Sequence, residues 1–286
     1  MRTERLHRHL GLPARSGYRP PGGHADIWLL RATPHLAAVA RGDIALLSPE
    51  EQNRVRQLPT PHSQDTYLVA HLTLRTLLGS CLRQPPAEVA FARADCPLCQ
   101  EPHGRPILQH TSGLHFSLSH VRDLIMIGLA RTPIGVDIEA TDRVRHETLA
   151  RRLHPAEHAA IEALPAARRH DALVRCWTRK EAYLKGLGTG LATPPNQVNV
   201  GTGLAQQDDE ELAARNGWTL TAITAPAGYA ASLALLLPPG TRNRTTVRTR
   251  TTHPRAPQTA RLAANGTTTS RRTITRPRLP EPLRSV

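Results

Sequence analysis

Gly135-Val136-Asp137-Ile138-Glu139 alternates apolar and acidic side chains. Successive side chains of a β-strand point to opposite faces, so this stretch predicts a strand that buries Val136 and Ile138 and presents Asp137 and Glu139 together. Two carboxylates held on one face repel each other unless a cation or protons intervene. Ligation by oxygen alone suits a hard ion such as Mg²⁺, which keeps part of its water shell and shares the rest with substrate phosphates. Taken by itself, the pattern more often marks an exposed strand face.

A second stretch changes that balance. Trp177-Thr178-Arg179-Lys180-Glu181-Ala182-Tyr183-Leu184-Lys185 holds both lysines of a chain whose other 35 basic residues are arginine. Lysine is a compact, strongly hydrated point charge, which arginine is not. Trp177 and Leu184 define the packed face of a helix, and at 3.6 residues per turn Glu181 lies at its border with Lys185 one turn further along. An ordinary i,i+4 surface pair explains Glu181 and Lys185 alone. Beside Asp137 and Glu139 they complete a set of carboxylates and an ammonium suited to a metal ion and a phosphate. Lys180 lies about 100° around the helix from Glu181, so it has another task. A third stretch, Phe116-Ser117-Leu118-Ser119-His120, places a hydroxyl and an imidazole at a strand end, where both can donate to phosphate oxygens. Gly104-Arg105-Pro106 offers a guanidinium from a tight turn just upstream.

Outward from these motifs the chain reads as alternating helices and strands. Ile27–Leu30 predicts a buried strand. Ser48-Pro49-Glu50-Glu51 opens a helix with a capping box. Tyr67, Ala70, Leu74, Leu77, Leu78 and Cys81 line one face of a long helix. His115–Ser119 and Leu124–Arg131 form two strands about a turn at Val121-Arg122-Asp123. A similar order then recurs: strand Ile134–Glu139, helices Pro155–Leu164 and Ala167–Leu187, and strands Gln197–Val200, Trp218–Thr224 and Tyr229–Leu237. The expected fold is α+β, with a flexible arm over 1–24, halves over 25–133 and 134–238, and a tail over 239–286. Of the formal charge of +14, +10 belongs to residues 241–286 and +4 to the rest. The tail is rich in Thr, Arg and Pro and poor in aliphatics, which predicts disorder.

The three motifs, in this order and spacing, resemble the Sfp-type 4′-phosphopantetheinyl transferases. GVDIE at 135–139 is followed by WTRKEAYLKGLGTGL at 177–191 and preceded by FSLSH at 116–120 and GRP at 104–106. Residues 27–237 carry the resemblance. It implies a pseudo-dimer of two similar α/β halves with coenzyme A bound between them. It also implies transfer of 4′-phosphopantetheine from coenzyme A to a serine of an apo acyl or peptidyl carrier protein, releasing adenosine 3′,5′-bisphosphate. Mg²⁺ would sit on Asp137, Glu139 and Glu181, with Lys185 reaching a phosphate oxygen. Glu181, or else Glu157 of the Pro155 helix, would accept the serine proton. Arg54, Arg105, Ser119 and His120 would bind the coenzyme A phosphates by similarity, with Lys180 as a further phosphate contact.

Other function classes find less in the sequence. No apolar run reaches the roughly 18 residues of a membrane span, and the N-terminus lacks the apolar core of a signal peptide. The cysteines Cys81, Cys96, Cys99 and Cys176 show no disulfide framework, so a cytoplasmic protein is expected; a monomer without nucleic-acid or membrane partners is the further expectation. The alternative is a zinc- or nucleic-acid-binding protein that uses Cys96, Cys99 and the basic tail.

Overall fold

The computed structural model describes residues 17–102, 104–110, 113–143, 146–203, 217–237 and 246–252. The described elements all fall in one compact unit, Met1–Pro254. The fold is α+β, with strands in small, mostly antiparallel sheets.

Strand β1, His24–Arg31, is buried along its centre. Its alternate residues serve two cores: Trp28 and Leu30 join one, and Ile27 and Leu29 the other. Helix α1, Pro34–Gly42, follows with Thr33 as its N-cap. Helix α2, Pro49–Gln57, starts at Ser48 with the expected capping box. Helix α3, Pro61–Leu82, buries far more than the single face expected. Leu68, Val69 and Leu72 are covered as well as Ala70, Leu74, Leu77, Leu78 and Cys81, because α1, α2 and the sheet surround it. A small hairpin, β2 (Phe91–Arg93) and β3 (Pro106–Leu108), leads to β4 (His115–Val121) and β5 (Leu124–Ala130). The β4–β5 turn holds Arg122 at φ 54°, and β5 pairs antiparallel with β1.

The second half repeats this order. Strand β6, Ile134–Ala140, is followed by helices α4 (His146–Ala150), α5 (Pro155–Glu162) and α6 (Ala166–Leu187). Strands β7, Trp218–Ile223, and β8, Tyr229–Leu236, close it, with β8 antiparallel to both β7 and β6. Both stretches run from a strand through short helices to a 22-residue helix and end in a strand pair whose second member lies beside the first strand, β5 on β1 and β8 on β6; the β2–β3 hairpin belongs to the first stretch alone among the described residues. The sheets meet edge to edge along β4 and β6. Ser117 Oγ accepts the Val136 N–H (3.0 Å) and Ser119 Oγ the Ile138 N–H (3.4 Å), so side chains join two edges where a backbone ladder is missing. Below them Ile27, Met126, Val136, Ile138 and Leu233 share one apolar core.

Several expectations are corrected. Gln197–Val200 is not a strand; Pro195–Gln197 forms a 3₁₀ turn. Buried side chains satisfy the backbone there: Arg179 Nη2 donates to Val200 O (3.0 Å) and Glu157 Oε1 accepts the Val200 N–H (2.7 Å). The tail 239–286 was expected to be disordered, yet Thr246–Thr252 forms strand β9, parallel to β1. The run Thr-Val-Arg-Thr-Arg-Thr-Thr is rich in β-branched residues, which favour a pleated strand. Residues 238–245 and 253–286 lie outside the described residues. So do residues 1–16 of the expected arm; by contrast Gly17 donates its N–H to Ser80 O (3.0 Å), and His24 already belongs to β1. No helix among the described residues is long and apolar enough to cross a membrane.

Candidate active site

The site forms where β6 lies against α6. Two glycines allow the approach. A Cβ on Gly135 would stand 1.9 Å from Ala182 O and 2.5 Å from Gly186 N, and one on Gly186 would meet the Trp218 ring at 2.5 Å. Strand and helix thus touch backbone to backbone, which only residues without a side chain permit. Gly188 ends α6 in the left-handed conformation, φ 86°.

This contact puts the acidic face of β6 beside Glu181 and Lys185. Val136 and Ile138 are buried on the other face as expected, and Asp137 is 3% exposed. Lys185 Nζ donates to Asp137 Oδ1 (2.6 Å) and to Ser119 Oγ (3.1 Å), and Ser119 Oγ in turn donates to Asp137 Oδ1 (2.9 Å). Asp137 Oδ2 is buried with no hydrogen-bond partner. Burial, then the charge of Asp137, pushes the Glu139 carboxyl up to about 7, with Lys185 opposing. The same two causes, in the same order, raise Glu181. Burial and mutual repulsion thus oppose ionisation of Glu139 and Glu181, and a hydrogen-bond acceptor on Asp137 stands unused beside them. These are the properties of a group that takes up a cation. Among the described residues no three His, Cys, Asp or Glu side chains already converge as a ligand set; in the structure Lys185 supplies the counter-charge to Asp137.

Lys185 also faces a cavity of about 960 Å³. Gly188, Thr189 and Gly190 form one wall, Arg93, Gly104 and Arg105 another, and α3 closes the far side with Tyr67, His71 and Arg75. Arg105 is held by a hydrogen bond from its Nη1 to Gly186 O (2.7 Å), and burial lowers its guanidinium from the ordinary value. Tyr67 and His71 stack with ring centroids 3.8 Å apart, and burial pushes the Tyr67 phenol up to about 12. His71 Nδ1 lies 3.1 Å from Glu51 Oε1, and Arg75 Nε donates to Glu51 Oε2 (2.7 Å).

The expected phosphate contacts divide accordingly. Arg105 and Lys185 line the cavity; Arg54, Ser119, His120 and Lys180 are not part of its wall. Arg54 is exposed on α2, whose packed residue is Val55. Ser119 is engaged between Asp137 and Lys185 and also joins the two sheet edges. His120 is exposed at the end of β4. Lys180 is 0% exposed and bonds Glu157 Oε2 (2.8 Å), Glu157 Oε1 (3.1 Å) and Val198 O. Glu157, the alternative proton acceptor, is 1% exposed and also accepts the N–H groups of His154 (2.9 Å) and Val200. Lys180 and Glu157 form a buried pair that binds α5, α6 and the 195–200 segment together. Trp177 is a packing residue, 6% exposed. Missed by sequence reasoning were Tyr67, His71 and Arg75; the i,i+4 spacing of Tyr67 and His71 on α3 was the available signal.

Residues 133–234 match the model of a family described as the 4'-phosphopantetheinyl transferase superfamily. The 4'-phosphopantetheinyl transferase HetI of Nostoc sp. is 34% identical over 154 residues, which cover 52% of this chain and 62% of HetI. The putative 4'-phosphopantetheinyl transferase slr0495 of Synechocystis sp. is 31% identical over 178 residues, covering 60% of this chain and 68% of that protein. The 4'-phosphopantetheinyl transferase Sfp of Bacillus subtilis is 25% identical over 159 residues, covering 55% and 67%. The alternative of a zinc- or nucleic-acid-binding protein finds no support in these similarities.

Proposed function

The chain belongs to the 4'-phosphopantetheinyl transferase superfamily, and on that premise we propose that it transfers 4′-phosphopantetheine from coenzyme A to a serine of apo acyl or peptidyl carrier proteins. The observation that carries this reading is the position of Lys185, which joins the carboxylate set to the cavity. Coenzyme A is the ligand proposed for that cavity, with Arg105 and Lys185 on its phosphates. Tyr67 and His71 offer stacked rings at the far wall. The repeated element order supports a pseudo-dimer of two similar halves, with the cavity walled by both.

Asp137, Glu139 and Glu181 would hold Mg²⁺, which when bound neutralises charge on the pyrophosphate and its leaving group. The rest of the chemistry belongs to this chain. Phosphoryl transfer needs positioning and charge neutralisation more than covalent help. Lys185 places an ammonium on a phosphate oxygen. With Glu157 committed to Lys180, Glu181 is the acceptor for the serine proton, directly or through a water; burial and the charge of Asp137 raise its carboxyl, which favours proton uptake. The proposed carriers are acidic, and the mildly basic folded portion would draw them electrostatically.

The test is incubation of the chain with apo carrier proteins of fatty-acid, polyketide and peptide type, coenzyme A and Mg²⁺, read by intact-mass spectrometry. A phosphopantetheine mass gain on the carrier serine is expected. No gain on any carrier, with the protein folded, refutes the proposal.

A further inference from the structure

A turn of two cysteines stands at the tip of the β2–β3 hairpin and takes no part in the chemistry above. Cys96 donates its N–H to Glu101 O (2.8 Å), and Gln100 donates its N–H to Cys96 O (2.8 Å). Gln100 closes the turn in the left-handed conformation, φ 64°, which a residue with a side chain adopts only where neighbouring bonds hold it. The Gln100 N–H to Cys96 O bond curls the chain through one tight turn, which brings the backbone N–H groups of Cys99 and Leu98 and the Cys99 thiol near the Cys96 sulfur. The two sulfurs are therefore neighbours, and neither is in a disulfide.

Their access to solvent differs. Cys96 is 1% exposed and Cys99 is exposed. Leu98 between them is 58% exposed, so the tip stands in water. The N–H donors of Cys99 and Leu98 hold the Cys96 thiol below its ordinary value. The other two cysteines behave in the opposite way. Cys81 and Cys176 lie in apolar cores, where burial pushes both thiols up, Cys81 to about 11. Reactive cysteines are those that combine access with a stabilised thiolate, and of the four cysteines only this pair offers both, divided between Cys99 and Cys96 of one turn.

We propose that Cys96 and Cys99 form a thiol–disulfide exchange site that reacts with low-molecular-weight disulfides. The accessible Cys99 attacks first in its thiolate form. The S–S bond of the small disulfide breaks, a mixed disulfide forms on Cys99, and one small thiolate leaves. Cys96, as thiolate, then attacks the Cys99 sulfur, closes the Cys96–Cys99 disulfide and expels the second small thiolate. Two electrons pass from the pair of protein thiols to the small disulfide, and the two protein protons end on the released thiols. The turn is continuous with the cavity wall: Ala94 N–H donates to Arg105 O (3.0 Å) and Arg93 Nη1 to Gly104 O (3.2 Å).

The experiment treats the full chain with oxidised glutathione at neutral pH, quenches in acid, unfolds, and counts and maps the remaining thiols. The count is expected to fall from four to two, with Cys96 and Cys99 joined and Cys81 and Cys176 reduced. A dithiol reductant restores all four. In Cys96→Ser the reaction stops at a mixed disulfide on Cys99. Retention of four thiols overturns the proposal. So does a mixed disulfide that persists in the unaltered chain, or stoichiometric zinc that must be chelated from the pair before it oxidises. None of these readouts depends on transferase activity, so the site and the proposed function stand or fall separately.

Discussion

Lys185 and Lys180 lie five residues apart and do opposite things. Lys185 is half-buried at the cavity wall and holds Asp137 at 2.6 Å with Ser119 at 3.1 Å. A guanidinium is larger, planar and less hydrated, and cannot occupy the same point. Lys185→Arg should therefore lower turnover at least about tenfold, near 1.4 kcal/mol of barrier, while thermal unfolding stays unchanged; equal turnover would show that charge alone matters. Lys180 is fully buried against Glu157. Removing one partner of a buried pair leaves the other uncompensated, so Glu157→Gln should cost about 3 kcal/mol in denaturant unfolding. Replacing both by apolar residues should recover much of that loss. A Glu157→Gln protein of full stability and no turnover would instead restore Glu157 as the proton acceptor.

Elements are held in place at a few contacts that decide whether the site forms. Gly135 and Gly186 bring β6 onto α6, and a methyl group on Gly135 would collide with backbone that cannot yield. Gly135→Ala should destabilise the fold by about 3 kcal/mol through overpacking, seen in denaturant unfolding, with loss of turnover in what remains folded. Helices α2 and α3 are tied by Glu51. Burial works against its ionisation, but His71, the Ser48 N–H and Arg75 together outweigh it and lower its carboxyl below the ordinary 4.5. A carboxyl lowered in the fold contributes stability above its unfolded value and loses it as pH falls through the folded value. Acid unfolding should thus steepen below about 4.5, and Glu51→Gln should flatten that limb. Glu139 acts in another window: raised to about 7 in the fold, it favours the folded state as pH drops from 7 toward 4.5.

At the scale of the molecule, one apolar core joins the halves and a late segment of chain completes the first sheet. Strand β9 pairs along most of β1, from His24–Thr246 to Leu30–Thr252. Ending the chain after Leu237 would leave the β1 edge unpaired, a template for association with other chains. That protein should melt several degrees lower and aggregate more readily than one ending after Thr252, measured by thermal unfolding and light scattering. Equal melting temperatures would mean that β9 contributes nothing to the sheet. The unit Met1–Pro254 includes β9.

The local patterns carried much of this structure. Alternation in GVDIE determined which side chains β6 buries, because a strand has period two. The helical spacing of Trp177, Glu181, Leu184 and Lys185 determined which of them share a flank, and Ser48-Pro-Glu-Glu51 determined where α2 begins. Each of these depends on residues within one or two turns of one another. What the tertiary structure alone decided are the long-range pairings. Glu157 met Lys180; Ser117 and Ser119 met β6; His71 and Arg75 reached the cavity; and a Thr- and Arg-rich run that cannot form a core of its own found an open strand edge. Such pairings depend on which surfaces remain unsatisfied once the rest of the chain has folded, and no local periodicity records that.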